Sequence, residues 1–179
     1  FHLDSQIKQL QFGNVSALSG EAAFQSVVKV IELAMEGRLD ATVTAPINKE
    51  AIHLAGHYYA GHTEIYAYYT GSKKFAMLLA LENLRIIHVT THVSLREACN
   101  LVKKDRILQV IDLLNESCRR LGIGNPRIAV AGLNPHASDN GLFGKEEETE
   151  IIPAVIEARS WGLDVVGPLP PDTMFTKAI

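Results

Sequence analysis

Apolar runs of strand length alternate along this sequence with apolar residues spaced every three or four positions, and that alternation points to α/β layers. Helical spacing is clearest over 21–37, where Phe24, Val27, Val28, Ile31 and Ala34 share one face. Ser19 is placed to cap this helix and Gly37 to end it. Residues 40–45, DATVTA, read as a strand closed by Pro46. Short helices are expected over 48–55 and 63–70, the second stopped by Gly71. The apolar runs 75–81 and 85–91 lie only a few positions apart, which suits an antiparallel hairpin. Ser94 and Glu97 have capping-box spacing at the start of a helix. A longer helix is expected over 105–121, with Ile107, Val110, Ile111 and Leu114 inward and Gly122 at its end. Residues 127–132 read as a buried strand, and 163–166 as a last one. Between them a helix over 145–161 opens with Glu146, Glu147 and Glu148, charges that suit a helix N-terminus. A hairpin inside an alternating pattern implies a mixed sheet flanked by helices. Residues 1–18 have no clear pattern, and there is no internal repeat.

Composition narrows the function classes. The chain has 179 residues and a formal net charge of −3, enough for one large domain or one and a half small ones. A nucleic-acid footprint would need a basic excess, which is missing. No apolar run reaches the ~18–20 residues of a membrane span, and no signal-peptide pattern is present. Cys99 and Cys118 both fall in expected helices with hydrophobic neighbours, so buried free thiols are expected, as in a cytoplasmic protein. The chain opens at Phe1 and stops at Ile179 just after PLPPDT, so both ends are expected to be cut rather than natural.

Candidate chemistry gathers at strand ends, where ligands bind in open α/β sheets. His92, in RIIHVTTHVSLRE, and His136, in RIAVAGLNPHASDNG, each follow an apolar strand that starts at an arginine. Each alone could simply hydrogen-bond its loop backbone. Together they suit a shared divalent ion, because imidazole is a good ligand for zinc and similar metals. A catalytic metal usually takes about three protein ligands, and no third partner is evident. His62 and Thr63, in AGHTE, stand at a helix start, where backbone N–H groups attract anions. They could hold a phosphate or carboxylate, or Thr63 could be an N-cap beside a surface histidine. His53 and His57 have i, i+4 spacing, but Gly56 interrupts the helix, so a solvated surface pair is expected. Lys49, in VTAPINKEAI, either binds an anionic substrate, acts as an acid or base if desolvated, or is a solvated helix-start residue. Asp172, in PLPPDT, is either a turn residue or a carboxylate facing the site. The glycines of GLFGKEE read as loop and helix-start residues, and no Gly-rich dinucleotide fingerprint is present.

The strings TAPINKEAI, AGHTE, THVSLREA, AGLNPHAS-NGLFG-EE and GPLPPDT-F, in this order and spacing, resemble the 4-hydroxythreonine-4-phosphate dehydrogenase family from about Ser19 to the end. The resemblance implies the two-domain fold of isocitrate and isopropylmalate dehydrogenases, which binds NAD without a Rossmann fingerprint. It implies a cytoplasmic homodimer of pyridoxine biosynthesis, using NAD or NADP and a divalent metal (Zn, Mg, Co or Mn). Two of the family's three metal-binding histidines match His92 and His136. The third belongs to a YHDQG motif farther along and is contributed across the dimer. The family's substrate-binding His–Thr pair matches His62 and Thr63; Lys49 and Asp172 are the candidate catalytic residues, and no NAD contacts can be assigned. Residues 1–179 are then expected to be the central portion of a two-domain enzyme, mostly its dimer-forming domain with parts of the other at both ends, and inactive alone.

The chemistry implied is oxidation of a secondary alcohol with transfer of hydride to NAD, the metal stabilising the developing alkoxide. The resulting β-keto acid can lose carbon dioxide. With 4-phosphooxy-L-threonine the product is 3-amino-2-oxopropyl phosphate. Relatives within the family act instead on 4-phospho-D-threonate or 4-phospho-D-erythronate, and NKEAIHLAGH and THVSLREA resemble those at least as much. A non-catalytic metal- or phosphate-binding fragment is the alternative from another class. A metal-dependent hydrolase is a weaker one, since a carboxylate-rich ligand pattern is missing.

Overall fold

The computed structural model describes residues 12–139 and 141–178, which form two compact units, one up to Phe75 and one from Ala76. The first is helical. Helix α1 (Ala17–Met35) packs on α2 (Lys49–Leu54) and α3 (His62–Thr70). Phe24, Val27, Val28 and Ile31 form the expected inward face of α1, and they meet Ile52 and Ile65, both fully buried. Burying each such side chain stabilises by about 1.5–3 kcal/mol. Helix α1 starts earlier than expected: Ser16, not Ser19, is the cap, accepting from the Ser19 N–H at 3.2 Å. Its end matches the sequence. Gly37, at φ +70°, donates to Ala34, and Arg38 donates to Leu33, a Schellman closure. Gly20 lets α1 and α2 meet backbone to backbone, since a Cβ there would lie 1.9 Å from the Ala51 carbonyl oxygen.

The expected strand over 40–45 does not form. The segment is irregular, Val43 is fully exposed, and no ladder partner exists among the described residues. A strand's backbone needs a neighbour to hydrogen-bond, however favourable its side chains. Thr42 is tied down through its hydroxyl to that of Tyr66 at 2.7 Å.

The second unit holds the sheet structure. Strands β1 (Leu78–Leu81) and β2 (Leu84–Ile87) form the expected antiparallel hairpin, shorter at both outer ends. Helices α4 (Leu95–Leu101) and α5 (Lys104–Arg120) follow, with Ser94 accepting from the Glu97 N–H as the capping box requires. Strand β3 (Ile128–Ala131) runs parallel to β4 (Val165–Leu169), and the helix between them crosses over as such pairs demand. That helix, α6, begins as a π-helical turn over Glu147–Ile151 and continues as Ile152–Ser160. The Ile152 N–H reaches back to the Glu147 carbonyl, and Pro153 has no N–H with which to continue the tighter ladder. Helix α7 (Pro171–Ala178) closes the unit.

Parallel and antiparallel pairing are thus both present, but in two separate two-stranded sheets among the described residues rather than in one mixed sheet. Ile107, Ile111, Ile128, Ile151, Val155 and Val165 make the core of this unit. Of the four inward residues expected on α5, Leu114 is only half-buried, at the edge of that core. Cys118 is buried as expected. Cys99 is not: it lies exposed on α4, where no residue is buried, and donates its thiol to the Leu95 carbonyl. No helix among the described residues is long and apolar enough to cross a membrane.

Candidate functional site

In the first unit, His62 is the first residue of α3 and Thr63 the second, so Thr63 is not the N-cap. The cap position is Gly61, which supplies no side-chain hydrogen bond to the first N–H groups of the helix. The His62 Nε2 atom is buried without a hydrogen-bond partner among the described residues, as is Glu64 Oε2. Buried polar atoms are normally paired. A helix start that its own cap leaves open, with an unmet imidazole nitrogen beside it, suits an anionic group.

Lys49 is the exposed first residue of α2, which Asn48 caps by accepting from the Ala51 N–H at 2.9 Å. His53 and His57 do not form a solvated pair. His53 Nε2 lies 3.1 Å from the Tyr59 carbonyl oxygen, whereas the half-buried His57 ring stacks on Phe24 at 3.6 Å and donates from Nε2 to Glu21 at 2.6 Å. Gly56 at the helix end is what turns His57 away. The hydrogen bonds from His57 and then Gln25 hold the Glu21 carboxyl below its ordinary value of 4.5.

In the second unit, neither metal-ligand candidate leaves its strand directly. Strand β2 ends at Ile87, and the His88 N–H adds one more bond to Met77 at 3.1 Å before Val89 turns onto the core. The Arg106 side chain, from α5, donates through Nε to the Val89 carbonyl at 3.0 Å and also pairs with Gln109. Partial burial draws the guanidinium below its ordinary value, though arginine remains charged in proteins. Thr90, Thr91, Lys103 and Arg106 line a groove of about 410 Å³ beside this segment. His92 follows, exposed, with φ +58°, an uncommon conformation for a side chain other than glycine's.

His136 lies five residues past β3. The Gly132 N–H continues the sheet by donating to Leu169 at 2.9 Å. The next two N–H groups, of Leu133 and Asn134, both donate to Glu147 Oε1 at 2.9 Å. Asn134 Oδ1 then accepts the His136 N–H at 3.0 Å, the Asx-turn geometry that asparagine favours. Ala137, Ser138 and Asp139 are all left-handed, with φ between 45° and 64°. His136 is exposed on a cleft of about 390 Å³ that is also lined by Ser138, Glu147, Glu148 and Pro168. Val89 and Leu133, each three residues before a histidine, pack against the same core.

Two imidazoles are a fitting partial donor set for a borderline divalent cation. The described residues supply no group of three His, Cys, Asp or Glu that could hold a metal. Asp172 is not in a turn. It is exposed in the first turn of α7, where Pro171 fits the first helical position and a carboxylate suits the N-terminus. Sequence reasoning missed Glu147 and Arg106. Each projects from a helix onto the backbone of a histidine-bearing segment, and no local motif announces such a bond.

Comparison with known proteins bears on this arrangement. The family described as "Pyridoxal phosphate biosynthetic protein PdxA" matches residues 2–179. The chain is 47% identical over 174 residues to the D-threonate 4-phosphate dehydrogenase of Salmonella typhimurium, covering 97% of this chain and 53% of that protein. It is 49% identical over 166 residues to the 4-hydroxythreonine-4-phosphate dehydrogenase of Beijerinckia indica, covering 93% and 49%. The crystal structure of 4-hydroxythreonine-4-phosphate dehydrogenase from Klebsiella pneumoniae superposes with a TM-score of 0.86 at 48% identity, over 97% of this chain and 53% of that one. The chain spans about half the length of the curated relatives it matches.

Proposed function

This chain belongs to the pyridoxal phosphate biosynthetic protein PdxA family, and on that premise we propose that the protein it comes from oxidises the secondary alcohol of a four-carbon acid carrying a 4-phosphate. The observation that carries the proposal is the packing of Val89 and Leu133 on one core, which starts both histidine segments from a common base. His92 and His136 would hold two positions of a divalent cation. That cation and a nicotinamide cofactor, NAD or NADP, would supply polarisation of the alcohol and acceptance of hydride when bound. The cofactor enters this reading through the family alone.

Within the first unit, the chain's own residues offer a place for an anion. The open start of α3, with His62 and Thr63, takes the phosphate. Two charge-assisted hydrogen bonds from this pair and the helix dipole favour a dianion over water. Lys49 and Asp172 remain candidates for proton transfer, both exposed at helix starts. Oxidation one carbon from the carboxylate-bearing carbon gives a β-keto acid, which loses carbon dioxide. D-threonate 4-phosphate is the first substrate to test, because the Oceanobacillus iheyensis relative named for it is 50% identical over 98% of the chain, against 49% over 93% for the relative named for the other. 4-Phosphooxy-L-threonine is the second; its product would be 3-amino-2-oxopropyl phosphate, on the way to pyridoxal phosphate. The fold of the whole protein is proposed to be that of the isocitrate and isopropylmalate dehydrogenases, with residues 1–179 its central portion. A homodimer is proposed with it. Ile152 and Ile156, one helical turn apart on α6, are exposed and suit an isologous contact.

The test is NAD(P)H formation by the full-length protein with each phosphate ester, with and without a chelator. Metal-dependent turnover accompanied by carbon dioxide release supports the reading. No turnover with either ester, under conditions where a family enzyme is active, contradicts it.

A further inference from the structure

We propose that Glu147 is a positioning residue for His136, setting the affinity of the divalent site through the backbone rather than by touching the metal. The inference rests on the reading of His136 as a ligand. Among the described residues, Glu147 is the only acidic or basic side chain that is buried, at 1% exposure. Its neighbours in the run are open to solvent, Glu146 in part and Glu148 fully, so a charge at the helix start does not account for it.

The bonds form an unbroken line from the sheet to the histidine. Gly132 gives the last ladder bond, to Leu169. Leu133 and Asn134 then give their N–H groups to one carboxylate oxygen. Asn134 takes the N–H of His136 on its side-chain oxygen. Backbone leaving a sheet would otherwise leave two part-buried donors without protein partners. Glu147 meets both, and because it sits in the π-helical turn of α6 it ties the loop to a packed helix. The left-handed run at Ala137, Ser138 and Asp139 follows at once, a conformation that costs free energy and holds only where the surroundings determine it. Groups that orient a ligand from behind typically change metal affinity 10- to 100-fold when removed.

The experiment titrates the full-length protein with Co²⁺ by calorimetry and follows backbone amide exchange in parallel. Glu147→Gln keeps a carbonyl oxygen at the same reach, so its affinity should stay within about 3-fold of wild type. Glu147→Asp withdraws the acceptor by about 1.5 Å, one C–C bond. It should lower affinity about 10- to 100-fold. Its Leu133 and Asn134 amides should exchange at least about 10-fold faster while those of Ile128 and Val130 stay protected. Asn134→Ala cuts the same line of bonds at a half-buried loop position, and covers the case in which Glu147→Asp does not fold. It should lower affinity about 10-fold with the melting temperature unchanged. Wild-type affinity in Asn134→Ala or in a folded Glu147→Asp overturns the proposal, as does equal loosening across β3. His136→Ala separates the two levels: if it binds Co²⁺ as wild type does, the metal reading itself fails.

Discussion

The two segments that carry the candidate ligands His92 and His136 are fastened by opposite charges. The His136 loop gives two N–H groups to a buried carboxylate, Glu147, from α6. The His92 segment offers a carbonyl, that of Val89, to a partly buried guanidinium, Arg106, from α5. In both cases a helix side chain grips backbone three residues or slightly less before the histidine, next to an aliphatic side chain on the core. The grips differ in strength. Glu147 accepts two part-buried N–H groups, whereas Arg106 donates to one carbonyl and pairs also with Gln109. One histidine is therefore held on a built loop and the other on a tethered strand extension.

That contrast can be broken first at the histidines. His92→Ala and His136→Ala should each lower kcat/KM of the full-length enzyme at least about 100-fold, with metal content falling in step, because losing a ligand should exceed losing its orienting partner. A large effect at His136 alone would make the His92 segment a bystander. Thr63→Val tests an element that neither grip touches. It should raise KM for the phosphate ester about 10-fold, the effect of one hydrogen bond to a charged group, and leave KM for NAD(P) unchanged. Equal increases in both would remove the helix-start site from the account. Arg106→Met sharpens the comparison directly. It should cost about 1–2 kcal/mol of stability in urea melts and weaken Co²⁺ binding less than Glu147→Asp does. The reverse order would mean that the grips have been ranked wrongly.

The smallest effect concerns a carboxylate at the surface. Glu21 is paired with His57 on side chains about a quarter to a third exposed. Its carboxyl is held below its ordinary value, first by the His57 bond and then by the Gln25 bond, so its contribution is present above about pH 4.5 and is lost as pH falls through the lowered value. Solvent screening keeps the contribution under about 1 kcal/mol. Comparing acid melts of wild type and Glu21→Gln should show the two converging below that window. A difference that grows on acidification would reverse the assignment.

Side-chain spacing made most elements legible. The inward faces of α1 and α5, the Gly37 closure, the Ser94 capping box and the β1–β2 hairpin all follow from short-range rules. The strand over 40–45 does not, because side chains report strand preference but not whether a neighbour is there to pair. Cys99 misled for a related reason: apolar neighbours in sequence do not decide whether α4 buries a face at all. At the candidate site the residue types were readable and the supports were not. Glu147 stands in an acidic run that reads as dipole compensation, and only the fold shows that one of the three turns inward. Arg106 reads as an ordinary first-turn arginine until the Val89 carbonyl is placed beside it.

The claim that His92 and His136 share one ion can be tested most directly by X-ray absorption spectroscopy on Co²⁺-loaded full-length protein. The account predicts imidazole scattering in the wild type that falls by one ligand in His92→Ala and by one in His136→Ala. An unchanged imidazole count in either variant would contradict it.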